Sequence, residues 1–254
     1  MDLNRMRWEF LQFSYFGITR KAGEQDETAL VACIRRAYRD FCRKLRYRYS
    51  EQTLKQATAE EARAFRDAKA GFLSTAKQCE DRSGVALLRK QVKMLPKDPE
   101  AYAQWHKNVC EGLRKFAMEW RDEAGQPLFL PGGFTFGHAQ KWVNMTVKYM
   151  LILDLLQEAE GLLPKLHIPL DAYILAAAAE PAEQELIPGC GVRGLGVKRP
   201  AWAWYALDDY ETYCGYQSRI LEATKIQGLT PTEWEAAAWP LEAALKAGSS
   251  GMED

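Results

Sequence analysis

Apolar positions recur along most of the chain at the three-to-four-residue interval of helices, and the two-residue alternation of half-buried strands is nearly absent. Ile34, Tyr38, Phe41 and Leu45 are spaced by four, three and four, which predicts an amphipathic helix within 26–49. Arg35, Arg36, Arg39, Arg43, Lys44, Arg46 and Arg48 fill its other faces. A polar, acid- and alanine-rich stretch at 55–78 reads as a surface helix, and 80–97 as a basic connector. Asp98 before Pro99 is a helix start, because proline has no N–H to orphan in the first turn and Asp accepts from those that follow. Trp105, Val109, Leu113, Phe116 and Trp120 keep helical spacing as far as a stop at Gly125.

A turn-rich hinge from Gln126 to Gly137 feeds a long helix over 138–160, and a shorter helix opens after Pro169 and runs to the alanines before Pro181. Gly189, Gly191, Gly194 and Gly196, with Pro188 and Pro200, make 186–200 a loop. Asp208 with Glu211, and Thr230 and Pro231 with Glu233, carry the capping-box spacing of two further helices. Gly228 ends the first of these, and Pro240 is expected to kink or shorten the second. The expectation is an all-α fold: one two-lobed helical domain over 1–247, with a central lobe at about 98–180, the terminal segments as second lobe, and a disordered tail at 248–254.

Composition changes this picture in three ways. An apolar share of 47% over 254 residues excludes a disordered chain. The balance of 34 Lys+Arg against 34 Asp+Glu excludes a uniformly basic polyanion binder. Charge is nevertheless uneven, with 11 basic and 6 acidic residues in 1–50 against 1 and 7 in 149–190, so one face is set to attract an anion. No run of about 18 apolar residues exists for a membrane span, and the first 20 residues lack the apolar core of a signal peptide. A cytoplasmic location is expected, and the six scattered cysteines read as free thiols. The aromatics crowded into 1–16, among them Trp8, Phe10, Phe13, Tyr15 and Phe16, require a partner surface. Oligomeric state is left open.

Candidate chemistry concentrates in the segment Gly137-His138-Ala139-Gln140-Lys141-Trp142-Val143-Asn144, continuing through Lys148 to Tyr149. On a helix Lys141, Asn144 and Lys148 share a stripe at i, i+3 and i+7, with Trp142, Met145, Tyr149 and Ile152 around the packed side. Two lysines and an amide on one stripe form an anion site or, equally, a solvated face. Asp171, in Ile168-Pro169-Leu170-Asp171, falls at a helix start, where the dipole explains an acid and also keeps it ionised for work on a substrate. His106 and Cys110 at i, i+4 offer at most half of a metal site, and the GxGxxG count at Gly189, Gly191 and Gly194 lacks its preceding strand. P-loop, GxSxG and HExxH motifs are absent from the sequence, so the reading calls for no cofactor and no metal.

A Gly-rich turn at Pro131-Gly132-Gly133 and Gly137, a lysine early in the next helix and a Pro-x-Asp opening another resemble the helix-hairpin-helix DNA glycosylases over about 130–175. The resemblance implies a glycosylase-like fold and base excision from DNA, with Lys141 as nucleophile at the sugar carbon and Asp171 as charge stabiliser. It further implies a phosphate held by backbone N–H groups of the turn, and Gly137, His138, Gln140, Asn144 and Lys148 placed against phosphate or base. Lys141 would need desolvation or a cationic neighbour, Lys148 or a protonated His138, to supply a free amine. Trp142, Trp202, Trp204, Tyr205 and Tyr210 are candidates to hold an extruded base. Arg35, Arg39, Arg43 and Arg46, with the loop residues Arg193, Lys198 and Arg199, are candidates for the DNA backbone. Over most of its length the chain is also similar to a group of uncharacterised bacterial proteins, through the blocks 137–149, 167–171 and 204–210, with Tyr213, Gln217, Glu235 and Trp239. A rival of another class is a non-catalytic helical module binding nucleic acid or protein, for instance in bacterial defence against phage.

Overall fold

A computed structural model describes residues 3–19, 27–75, 82–156 and 160–250. The architecture is all-α: the described residues form ten α-helices with short 3-10 turns, and pair as strands only at isolated bridges such as Tyr47 with Phe129. In chain order the helices are α1 (Leu3–Phe16), α2 (Glu27–Phe41), α3 (Glu51–Leu54), α4 (Ala59–Phe72), α5 (Gly84–Lys93), α6 (Pro99–Glu119), α7 (Phe136–Ile152), α8 (Ala172–Ala179), α9 (Tyr210–Ile226) and α10 (Pro231–Ser250). None is long and apolar enough to cross a membrane.

α7 is the axis. Nearly all of its side chains are buried, so its sequence lacks a solvated face, and α2 and α6 pack along its flanks. Trp142 at its centre is fully buried among Tyr38, Phe41, Phe72 and Phe134, and its indole N–H donates to the Ile34 carbonyl at 2.9 Å. The base-holding role expected of Trp142 is therefore corrected to core packing. α5 lies against α2 and α6, α10 covers α8, and α9 joins α10.

Several boundaries follow the sequence signals. Asp98 accepts from the Glu100 amide at 3.0 Å to start α6 at Pro99, and Thr230 and Glu233 exchange side-chain and backbone bonds at the start of α10. Others differ. The helix predicted within 26–49 stops at Phe41, because Arg46 and Arg48 bond through their backbones to Leu128, Leu130 and Gly133 of the hinge. The connector expected at 80–97 holds α5, capped by Ser83 and burying Val85, Leu88 and Val92. α7 ends at Ile152, short of 160, where Asp154 takes a left-handed conformation at φ 55°. Asp209, and not Asp208, caps α9 by accepting from Thr212 at 2.7 Å. Pro240 is exposed and α10 continues through it, and Ala236, whose carbonyl a proline four residues on cannot bond, is exposed as well. α10 includes 248–250, which were expected in the disordered tail, and 251–254 lie outside the described residues.

Candidate active site

A cleft of about 620 Å³ opens between α1, α2, α7, the start of α8 and α10. α7 contributes Lys141, Met145, Lys148 and Ile152 at intervals of four, three and four. α2 contributes Arg36, Arg39 and Asp40, and the 3-10 turn Cys42–Lys44 that continues it contributes Arg43, so one charged stripe faces another across the opening.

Lys141 and Asp171 meet here. The ammonium donates to Asp171 Oδ2 at 2.8 Å with both side chains nine-tenths buried. Asp171 is fully engaged: Oδ1 accepts from the Tyr173 and Ile174 amides at 2.9 and 3.0 Å, capping α8, and the Trp239 indole donates to Oδ2 at 3.2 Å. The Lys141 ammonium also lies 4.9 Å from the centre of the Trp204 ring, a cation–π contact. About two turns further along α7, Lys148 pairs with the buried Glu235 of α10. Burial pushes the Glu235 carboxyl above its ordinary range, and the Lys148 charge pulls it back. Tyr149 donates to Asp40, Tyr15 shares a hydrogen bond with Tyr149 at 2.8 Å, and Arg36 lies 3.4 Å from Asp40 and 4.0 Å above the Tyr15 ring. Desolvation raises the Asp40 carboxyl, opposed by the Tyr149 bond and the Arg36 charge.

What holds Asp171 in place is a buried amide lattice. Gln140 Nε2 donates to the Gly137 and Leu170 carbonyls, both at 3.0 Å, and its Oε1 accepts from the Leu170 amide at 3.2 Å. Gln217 does the same for Ile168, donating to its carbonyl at 2.7 Å and accepting from its amide at 3.3 Å. Asn144 Nδ2 is within 3.1 Å of the Ile168 carbonyl and Gln140 Oε1 and 2.9 Å from the Tyr213 hydroxyl. His106 Nε2 lies 2.8 Å from Asn144 Oδ1, and since that oxygen only accepts, the ring nitrogen carries the proton. The Tyr213 oxygen receives the Asn144 and Gln217 amides, so its own proton points to His167 Nδ1 at 3.0 Å. Three side-chain amides thus stand in for strand partners along 168–170, a segment that Pro169 keeps out of helix.

These contacts correct several assignments. Asn144 and Gln140 are buried in the lattice, 1% and 0% exposed, and hold backbone in place of phosphate or base. Asn144 stands about 60° around α7 from Lys141, enough to turn it toward α6. His138 closes a capping box: its Nδ1 accepts from the Thr135 amide at 3.1 Å and its Nε2 donates to the Lys44 carbonyl at 3.1 Å. Burial lowers its pKa to about 4, so it is a neutral ring and not a cationic neighbour of Lys141. Gly137 has no ligand-binding role, because its amide donates to the Leu207 carbonyl at 2.7 Å and a Cβ there would stand 2.0 Å from the Trp204 carbonyl oxygen. The Gly-rich turn is likewise occupied, with the Gly133 amide bonded to Leu130, the Phe136 amide to Asp208, and Arg46 donating to the Pro131 and Gly132 carbonyls.

Of the arginines singled out in the sequence, Arg39 and Arg43 line the cleft, whereas Arg46 is held at the turn and exposed Arg35 donates to Thr75. Trp202, Trp204, Tyr205 and Tyr210 do not line it, Trp204 being buried behind Lys141, and neither do Arg193, Lys198 and Arg199. The aromatic walls are instead Trp8, Tyr15 and Phe16 on one side and Tyr173 and Trp239 on the other. Sequence reasoning did not place these in a site, nor Gln12, Arg36 and Asp40. The recurrence of Arg36, Arg39, Asp40 and Arg43 at helical spacing was the available signal. His106 and Cys110 are both buried, the sulfur 3.6 Å from Nε2, and among the described residues three potential metal ligands nowhere converge. Known protein families, curated proteins and solved structures provide no match to the chain.

Proposed function

We propose that the protein is a DNA glycosylase-like enzyme that removes a modified or mispaired base, with Lys141 as nucleophile and Asp171 as its proton partner. The observation that carries the reading is the Lys141–Asp171 contact of 2.8 Å at the wall of a cleft that aromatic rings line and Arg39 and Arg43 rim. A buried ion pair adds little net stability over apolar replacements, so its presence at a cavity wall is better accounted for by chemistry than by folding.

Asp171 Oδ2 takes a proton from the ammonium once bound DNA excludes water, since two opposite charges then lose hydration together. The freed Nζ lone pair attacks C1′ while the glycosidic electron pair leaves with the base. The proton on Asp171 passes to the departing base nitrogen, and a second Nζ proton moves to O4′ as the sugar ring opens. The product is an iminium between Lys141 and C1′, with Asp171 again ionised, so protons and charge balance. The Trp204 face favours the positive charge throughout. Arg39 and Arg43 provide phosphate contacts, and the fold in this reading is a variant of the helix-hairpin-helix glycosylase arrangement in which Arg46 and Asp208 occupy the turn that would otherwise hold phosphate.

Borohydride reduction in the presence of a duplex carrying an abasic site tests this, because the amine meets C1′ whatever base was there. Wild type forms a covalent protein–DNA adduct, and Lys141→Gln reduces its yield by about 100-fold or more. Equal adduct in Lys141→Gln, or none in wild type, overturns the lysine chemistry. Salt-sensitive DNA binding without any adduct is the outcome that the non-catalytic module gives.

A further inference from the structure

Two polar atoms in the cleft lack a partner. Gln12, on α1, is 2% exposed and its Oε1 accepts no hydrogen bond, and Arg36 Nε donates none although the rest of its guanidinium contacts Asp40 and Tyr15. Both residues line the cavity that Lys141 and Asp171 border. They are neighbours through Tyr15, which stands one turn after Gln12 on α1 and directly beneath the Arg36 guanidinium. Three of the surrounding charged groups are taken: Asp171 by four donors, Asp40 by Tyr149 and Arg36, and Lys148 by Glu235. A buried acceptor and a buried N–H donor left unpaired in one cavity are unfavourable in the empty protein and favourable once a ligand supplies the complements.

Resting on the DNA-base reading above, we infer that Gln12 and Arg36 read the edge of the extruded base, and that this edge is a lactam, a ring N–H beside a carbonyl. In that register the ring N–H donates to Gln12 Oε1, and the carbonyl oxygen accepts from Arg36 Nε–H. Uracil, thymine, guanine and hypoxanthine present such an edge. Adenine and cytosine invert it at both positions: an amino group meets the arginine donor, and a bare ring nitrogen meets the glutamine oxygen. Both contacts then become repulsive, and a site built around paired donors and acceptors rejects such an isostere far more strongly than an apolar pocket does. Trp8, Tyr15 and Phe16 on one wall and Tyr173 and Trp239 on the other provide the flat surfaces against which any base is held, so ring faces give affinity and the edge gives the choice.

The test compares full-length protein binding to single-stranded oligonucleotides that differ at one central base, hypoxanthine against adenine and uracil against cytosine. Each carries fluorine at C2′ of the target sugar so that the glycosidic bond survives. Fluorescence anisotropy is expected to show the lactam member of each pair bound about tenfold more tightly or better by wild type. Gln12→Leu is expected to bring the ratio to about threefold or less, with no loss of thermal stability because it removes an unpaired buried oxygen. Equal binding of hypoxanthine and adenine by wild type overturns the inference, whatever the borohydride experiment gives, and so does an undiminished ratio in folded Gln12→Leu. Should Gln12→Leu not fold, the two wild-type ratios decide. A lactam preference in a protein that forms no borohydride adduct leaves edge reading standing and the lysine chemistry refuted.

Discussion

Lys141 and Asn144 differ by three positions and have opposite duties, one at the cleft wall and one in the lattice behind it. Replacing Asn144 by Leu strips the Ile168 carbonyl, the Tyr213 hydroxyl and His106 of a shared partner at a fully buried site. The expected cost is about 2–4 kcal/mol in the free energy of unfolding by urea, and on the function proposed above the DNA affinity of the folded fraction stays unchanged. An affinity loss at unchanged stability would return Asn144 to the ligand side. The sequence showed both residues on one helical stripe because 60° of rotation is small against a periodicity argument, and only the two packing partners, α2 on one flank and α6 on the other, separate them. Lys141 and Asp171 were legible as candidates from their spacing to Pro169 and the helix starts. Gln12 was not, since an isolated glutamine among aromatics carries no periodic mark, whereas the helical spacing of Arg36 with Arg39, Asp40 and Arg43 was a mark shared with a solvated basic face.

At the level of elements, α7 is positioned by what crosses its first turn. The 3-10 turn Trp204–Ala206 runs so close that Gly137 is the only residue type that fits, its missing Cβ being 2.0 Å from the Trp204 carbonyl oxygen. Gly137→Ala is expected to lose about 3 kcal/mol or more of stability, read as a lowered Tm, because backbone and not a flexible side chain must yield. It also displaces the Trp204 ring from beneath the Lys141 ammonium. Helices with polar caps were readable from the chain: α6 from Asp98 and Pro99, α8 from Asp171, α10 from Thr230 and Glu233. α5 was hidden because Arg89, Lys90 and Lys93 on its outer side masked the buried row Val85, Leu88 and Val92. The end of α2 was hidden for a different reason. Leu45, Tyr47 and Tyr49 alternate, an extended signal too short to recognise without the hinge backbone at Leu128–Gly133 that pairs with it.

Over the whole molecule, each of the three histidines has a hydrogen-bonded setting, buried His138 in a cap and buried His106 and half-buried His167 around Tyr213. Burial lowers His106 and His138 to about 4 and His167 well below its usual value. Groups depressed on folding contribute stability that is present above the unfolded value near 6.5 and lost as pH falls toward the folded one, so acid weakens the fold. Each histidine at about 4 accounts for about 2 kcal/mol of loss by pH 5. Asp40 and Glu235, both raised by burial, act in the opposite sense and offset part of it. His138→Gln isolates one contribution, because glutamine three residues after Thr135 preserves the capping box without a titrating ring. Its stability difference between pH 7 and pH 5, from chemical denaturation, is expected to be about 2 kcal/mol smaller than that of wild type. An identical difference would mean that His138 is protonated in the native protein.

α10 has a consequence in time as well as in space. Residues 231–250 emerge from the ribosome after every other helix described, yet they bring the Trp239 indole to Asp171 and the Glu235 carboxylate to Lys148. A nascent polypeptide stalled before that point keeps the Lys141–Asp171 pair but lacks the counter-charge of Lys148 and one of the four donors to Asp171. Translation thereby delays completion of the surroundings of Lys141 and Asp171 until the last described helix is made, and a chain cut short before it leaves Lys148 without Glu235 and Asp171 without the Trp239 indole.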